Sequence, residues 1–358
     1  MAFSVLWGVF EYNETSFEIV RSLAAYGNVL LVYFAAINLS KIEREKLINT
    51  NTTVFYLLFL IGILQFTGMF SLLGLGYIIE LLINRGAEGV IGSGRGVALL
   101  SSEPSRAGYE FLFIYMLFRF TKLVNVRKGK VFLFDILVSL FILLFIKSAL
   151  AAIFLFIYMF YNYRSYIYYT FPFVFVLVLL LGLNLNNLIA FLADSNTRSL
   201  VLASLTLQTI IDGGFWNLFM NASGFRGVSI YSAYLIGFND LIGHGIGNWE
   251  KSSLIALESS GYSPADLLYF SSREGIFTSI RPTSFIASLM LDVGVIGVSI
   301  LLYCIRRILI LYTCDASRGI LYCFAFYIFF IGSVGNPVPW LVVGIVAGIL
   351  NTSQGGMS

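Results

Sequence analysis

Residues 47–79 read LINTNTTVFYLLFLIGILQFTGMFSLLGLGYII and contain no Asp, Glu, Lys or Arg. A helix rising 1.5 Å per residue needs about 20 apolar residues to cross roughly 30 Å of hydrocarbon, so this run is long enough. Its apolar residues are continuous rather than alternating. Backbone amides cannot stay unpaired in lipid, so the run reads as membrane helix and not as barrel strand. The same pattern extends outward to charge-free runs at 22–40, 148–163, 165–193, 293–305 and 319–358. Residues 109–126 and 131–146 join them, with Arg119 and Asp135 as interior charges. Composition agrees: 58% of residues are hydrophobic, 11% are charged and mean hydropathy is +0.87, outside the balance of a soluble domain. The expected fold is all-α, a polytopic transmembrane helix bundle with about 9–11 membrane segments forming a single transmembrane domain over 1–358.

Punctuation within the runs refines this. Gly335-Asn336-Pro337-Val338-Pro339 interrupts the last run, which therefore reads as two short helices or one crossing and a re-entrant segment. The first ten residues are apolar but lack a basic region and a small-residue cleavage site, so no cleaved signal peptide is expected. Cys304, Cys314 and Cys323 have no metal-type spacing and read as packing residues.

Basic residues in short loops set the orientation. Lys41, Arg44 and Lys46, then Lys122, Arg127, Lys128 and Lys130, then Arg164, and finally Arg306, Arg307 and Arg318 mark the cytoplasmic side. Alternation of the spans then places 80–108 and 192–283 outside. A tyrosine cluster at Tyr161, Tyr163, Tyr166, Tyr168 and Tyr169 fits an aromatic belt at headgroup level. Segment 192–283 is the one long non-spanning region, and its stretches 199–211 and 227–238 are apolar enough to lie on the membrane or cap the bundle as helices. This large outer loop is expected to roof a cavity.

On or near the outer side lie Arg21, Arg85, Arg95, Arg106, Arg198, Arg226, Arg273 and Arg281, against only Lys147 and Lys251. Arginine's planar fork grips phosphate oxygens through two parallel N–H bonds, which lysine cannot do. The set therefore points to a phosphate-bearing ligand. The competing reading pairs these arginines with Glu88, Glu103, Asp240, Glu250 or Glu274. Gly243-His244-Gly245-Ile246-Gly247-Asn248-Trp249 holds the one histidine of the chain inside an alternating-glycine turn, able to cradle an anion or to let a ligand approach closely. His244 is read either as a satisfied structural histidine or as a catalytic or ligand-contacting group. No βαβ unit surrounds this turn or Gly92-Ser93-Gly94-Arg95-Gly96, which excludes a dinucleotide fold.

Arg226 followed by Ser229–Trp249 (SIYSAYLIGFNDLIGHGIGNW) resembles the bacterial O-antigen polymerase family of the Wzy type, in which an arginine precedes an amphipathic helix and a GxG turn. Gly94-Arg95-Gly96 to Glu103-Pro104-Ser105-Arg106 is similar to that family's first outer loop, and Pro282–Gly297 (PTSFIASLMLDVGVIG) to the start of the helix after its large loop. The related O-antigen ligases carry a His-Asn pair near that start, but here the histidine position falls at about Thr283. The ligase pattern is thus broken.

The resemblance implies a bundle of the GT-C-like polymerase and ligase type in the bacterial inner membrane, with its active site facing the periplasm. The implied activity is that of a glycosyltransferase moving a growing glycan from undecaprenyl diphosphate onto a lipid-linked repeat unit. Its expected partners are the undecaprenyl-diphosphate-linked oligosaccharide, membrane lipids and a chain-length regulator protein, and no nucleic acid. Arg95, Arg106, Arg226, Arg273 and Arg281 are candidates for holding the diphosphate, with Glu103 and His244 as candidate bases. No Asp-x-Asp and no clustered ligand set appears, so neither a metal nor any other cofactor is expected. A ligase and a lipid-linked oligosaccharide flippase are the alternatives; a flippase would place ionisable residues at the midplane.

Overall fold

The computed structural model describes residues 16–72, 96–123, 128–164, 189–190, 193–194, 204, 208, 226–262, 281–309 and 315–355. Expectations on the span 165–193, on the helix 199–211 beyond Ser204 and Gln208, on Cys314, on Arg95 and on Arg273 lie outside the described residues. Every regular element among the described residues is helical. In chain order these are α1 (Ser16–Ile42), α2 (Arg44–Phe66), the short α3 (Met69–Leu72) and α4 (Pro104–Lys122). Then come α5 (Lys128–Leu140), α6 (Ala149–Asn162), α7 (226–239), α8 (Trp249–Ser259), α9 (Phe285–Leu309), α10 (Asp315–Phe326) and α11 (Val338–Gly355). α5 and α10 each run on into a π-helical turn, Phe141–Ile146 and Tyr327–Ile331.

Among the described residues, four stretches are long and apolar enough to cross a membrane: Phe17–Ile42, Arg44–Phe66, Gly129–Ile146 and Phe285–Arg306. Shorter apolar helices cover Ala149–Asn162, Ser317–Ile331 and Val338–Asn351. The break read at 335–339 is present, because Gly335 takes φ +92° and the Asn336 carboxamide accepts from Val338 N at 3.2 Å, capping α11. The run 47–79, by contrast, is not one helix. It stops at Phe66, where Thr67 turns its hydroxyl back to the Ile63 carbonyl at 3.0 Å and Gly68 takes φ +75°.

The chain gathers into two compact units, one of Met1–Ala35, Thr209–Tyr312 and Phe324–Ala347, the other of Ala36–Gln208, Thr313–Cys323 and Gly348–Ser358. In the second unit α4 is central, with Phe111, Leu112, Phe113, Tyr115 and Met116 all fully buried. Pro104 begins it at a position whose N–H would be unpaired in any case. Phe55 of α2 stacks on Phe118 at 4.7 Å and on Phe111 at 5.4 Å. Gly62 lets Phe141 approach so closely that a Cβ there would sit 2.3 Å from its ring. Lipid tails are as apolar as these rings, so burial alone gives helices little reason to associate; close packing and buried polar bonds supply it.

Those polar bonds converge on Asp135 of α5, which is completely buried. Arg119 of α4 pairs with it at 3.1 Å, and the hydroxyls of Tyr115 and Tyr163 donate to its two oxygens. Arg119 also donates to Tyr158 at 3.2 Å and to Asn162 at 2.9 Å, both on α6. One cluster thereby sets the register of α4, α5 and α6. In the first unit α7 and α8 pack on α9 through Ile230, Ala233, Ile236, Ala256, Ala287 and Leu291. Trp340 of α11 is buried against Tyr33 of α1, Phe285 of α9 and Phe324.

Candidate functional site

α9 is not a continuous helix. Gly294 has φ +66° and ψ −170°, a conformation open in practice to glycine alone, and it divides the helix within its apolar stretch. A break of this kind strands backbone groups that lipid cannot satisfy. The turn 241–247 satisfies them. His244 N donates to Leu291 O at 2.8 Å, Gly245 N donates to Asp292 O at 3.0 Å, and Ile296 N donates to Leu241 O at 3.2 Å. Gly243, Gly245 and Gly247 all have positive φ, which explains the alternation in the sequence. A Cβ on Gly243 would lie 2.5 Å from Gly294 N, and one on Gly247 would lie 3.1 Å from Ile19 Cα. The turn is therefore a clasp between backbones. The N–H groups of His244 and Gly245, which the sequence offered to an anion, are spent on the broken helix instead.

Beside the break, Asp292 of α9 is fully buried. Its Oδ2 accepts from Tyr26 of α1 at 2.6 Å and from Arg281 Nη2 at 3.1 Å. The Arg281 guanidinium also lies over the Tyr26 ring, 5.3 Å from its centroid. Burial opposes the charge on Arg281, but Tyr26 and Asp292 more than offset it, and the guanidinium pKa stands above its usual value. Its Nε is buried with no hydrogen-bond partner among the described residues, so Asp292 does not exhaust its donors. Arg281 is thus paired, and with an acid absent from the five considered above. Asp292 was missed because the charge-free run starts only at residue 293, although the apolar run of α9 extends on both sides of this aspartate. An aspartate in such a run was itself the available signal.

His244 is nearly buried, and its Nε2 lies 3.3 Å from Asp240 Oδ2, while Nδ1 is buried. Asn248 holds the turn from inside by donating to His244 O at 2.7 Å. Tyr234 of α7 and Ser284 both donate to Phe329 O, at 2.7 and 2.6 Å, supplying a partner to a carbonyl of the π-helical turn. Burial pushes the Tyr234 phenol up to about 12, which keeps it a neutral donor. Arg226 stands at the start of α7, where its carbonyl accepts from Ser229.

Two further candidates, Glu103 and Arg106, belong to the second unit. Gly96 takes φ +83° with Ile146 O pressed against its Cβ position, and the following loop is held by Gln65, whose side-chain amide bonds both the N–H and the C=O of Leu99 at 2.9 and 2.8 Å. Glu103 precedes Pro104 in extended geometry and accepts from Ser105 at 3.2 Å. Arg106 is bound to Glu110 at 2.7 Å, one turn along α4. Of the seven candidates, Arg226, His244 and Arg281 share the first unit and Glu103 and Arg106 the second. Among the described residues no three His, Cys, Asp or Glu side chains gather as a metal site. Comparison with protein-family models, curated proteins and solved structures returns no match.

Proposed function

We propose that this chain is a polysaccharide polymerase, a glycosyltransferase of the O-antigen type in the bacterial inner membrane. It transfers a growing glycan from undecaprenyl diphosphate onto the next lipid-linked repeat unit at the periplasmic face. The full bundle then has about 9–11 segments in a GT-C-like arrangement. One observation carries the reading: Arg281, partly buried at the head of a broken membrane helix, held by Asp292 and Tyr26 with donors to spare. A fixed fork at the head of a membrane helix is what a lipid-linked diphosphate requires, and a preset donor needs no reorganisation as the leaving group gathers charge. Because its charge is already balanced by Asp292, Arg281 acts through directed N–H bonds more than through long-range attraction.

Asp292 and Asp135, buried inside apolar helices, favour a second reading, a lipid-linked oligosaccharide flippase. Deleting the gene and displaying surface glycan by gel separates the readings. Loss of a polymerase leaves single repeat units at the surface, loss of a flippase removes surface glycan altogether, and loss of a ligase leaves full chains on the lipid carrier.

A further inference from the structure

Asp240 follows the last residue of α7 and is half exposed, at 48% of its side chain, while its partner His244 is exposed by only 10%. In a catalytic acid–histidine pair the histidine normally turns its second nitrogen to the substrate. Here that cannot happen. Nε2 faces the Asp240 carboxylate at 3.3 Å and Nδ1 is buried, so the carboxylate is the part of the pair a substrate can reach. The imidazole is in turn held firmly, since the backbone on either side of it is bonded to Leu291 and Asp292 of the broken helix. Asp292 is also the residue that anchors Arg281.

The surroundings of Asp240 say where it works. Phe238, Leu241 and Ile242 flank it and are exposed by 65%, 61% and 41%, three large apolar side chains on one corner of an otherwise packed element. Such a corner is stable when sunk into the boundary between headgroups and acyl chains. That is the level at which the diphosphate of a lipid carrier lies.

We infer that Asp240 is the general base of the transfer and that His244 is its positioning residue. This rests on the polymerase reading. In the step, the acceptor sugar's O–H bond breaks and its proton passes to the Asp240 carboxylate, while the acceptor oxygen forms a bond to the anomeric carbon of the donor glycan. The bond from that carbon to the diphosphate oxygen breaks, and its electron pair leaves with the lipid diphosphate, which Arg281 receives. The His244 N–H donates to the carboxylate and keeps one oxygen turned outward.

The test uses the full-length protein in vesicles with a lipid-diphosphate repeat unit as substrate. General-base catalysis contributes roughly 10²–10⁴ in rate, so Asp240→Asn is expected to lower kcat at least about a hundredfold with KM little changed. Asp240→Glu restores part of it. His244→Gln, which keeps an N–H donor, retains more activity than His244→Met, which has similar volume and no donor, a difference that loss of packing alone would not produce. Wild-type kcat in Asp240→Asn, beside an active wild-type enzyme, overturns the assignment and leaves the polymerase reading standing. Equal activity of His244→Gln and His244→Met overturns the positioning role. A wild-type protein that makes no longer chains defeats the polymerase reading first, and this inference with it.

Discussion

Gly294→Ala is the substitution on which the account of the broken helix is most exposed. At φ +66° and ψ −170° a side chain carries about 1–3 kcal/mol of backbone strain. The new Cβ would also stand 2.4 Å from Leu241 O and 2.6 Å from Gly243 N, backbone atoms that cannot rotate away. Relief requires the turn and helix to separate, which breaks the bonds at 2.8, 3.0 and 3.2 Å that join them. Each is worth about 0.5–1.5 kcal/mol net, so the total expected loss is about 3–7 kcal/mol against a usual stability of about 5–15. Unfolding in mixed micelles titrated with sodium dodecyl sulfate, followed by tryptophan fluorescence, measures it. Gly27→Ala serves as the control, because a Cβ at Gly27 meets nothing within 4 Å, and it should be neutral or slightly stabilising. A Gly294→Ala protein within about 0.5 kcal/mol of wild type would refute the reasoning, since strain alone exceeds that.

Asp135→Leu leaves Arg119 buried without its carboxylate and should cost about 3–5 kcal/mol, most of which returns on adding Arg119→Met; a neutral Asp135→Leu would show the cluster to be ornamental. Arg226→Lys keeps charge but loses the fork, and since a charge-assisted bond is worth about 1.5–3 kcal/mol, polymerisation should fall at least about tenfold, and further for Arg226→Ala. Full activity in a well-folded Arg226→Ala removes that residue from the site. A cysteine placed at Ser260 should react with an impermeant maleimide while the inner membrane is intact; reaction only after permeabilisation inverts the topology.

Length and charge distribution made the helical membrane class legible, and α1, α6 and the division before α11 fall close to where charge-free runs and Gly-Asn-Pro punctuation put them. The break in α9 was not legible. Nothing distinguishes Gly294 from a glycine tolerated in a membrane helix until the turn that fills the gap is seen beside it, and that turn lies far away in sequence. The helix α8 was also missed, since WEKSSLIALES has too few apolar residues to stand out beside its neighbours. For the site, arginine enrichment in the segments read as outer was visible, but pairing was not: Arg281 with Asp292 and His244 with Asp240 depend on distances that spacing does not encode, although Asp240 and His244 stand only four residues apart. The glycine alternation was visible too, and its purpose was misjudged. Positive φ is needed there for close approach of protein backbone, with two of the turn's N–H groups already committed to α9.

On the proposed function, this chain lengthens glycans on a lipid diphosphate. The most direct measurement reconstitutes the purified protein in vesicles with a lipid-diphosphate-linked repeat unit and resolves the products by gel. A ladder of products, each longer than the last by one repeat unit, with lipid diphosphate released for every unit joined, is the result predicted. Movement of intact substrate across the bilayer with no change in its length would contradict it and establish the transporter in its place.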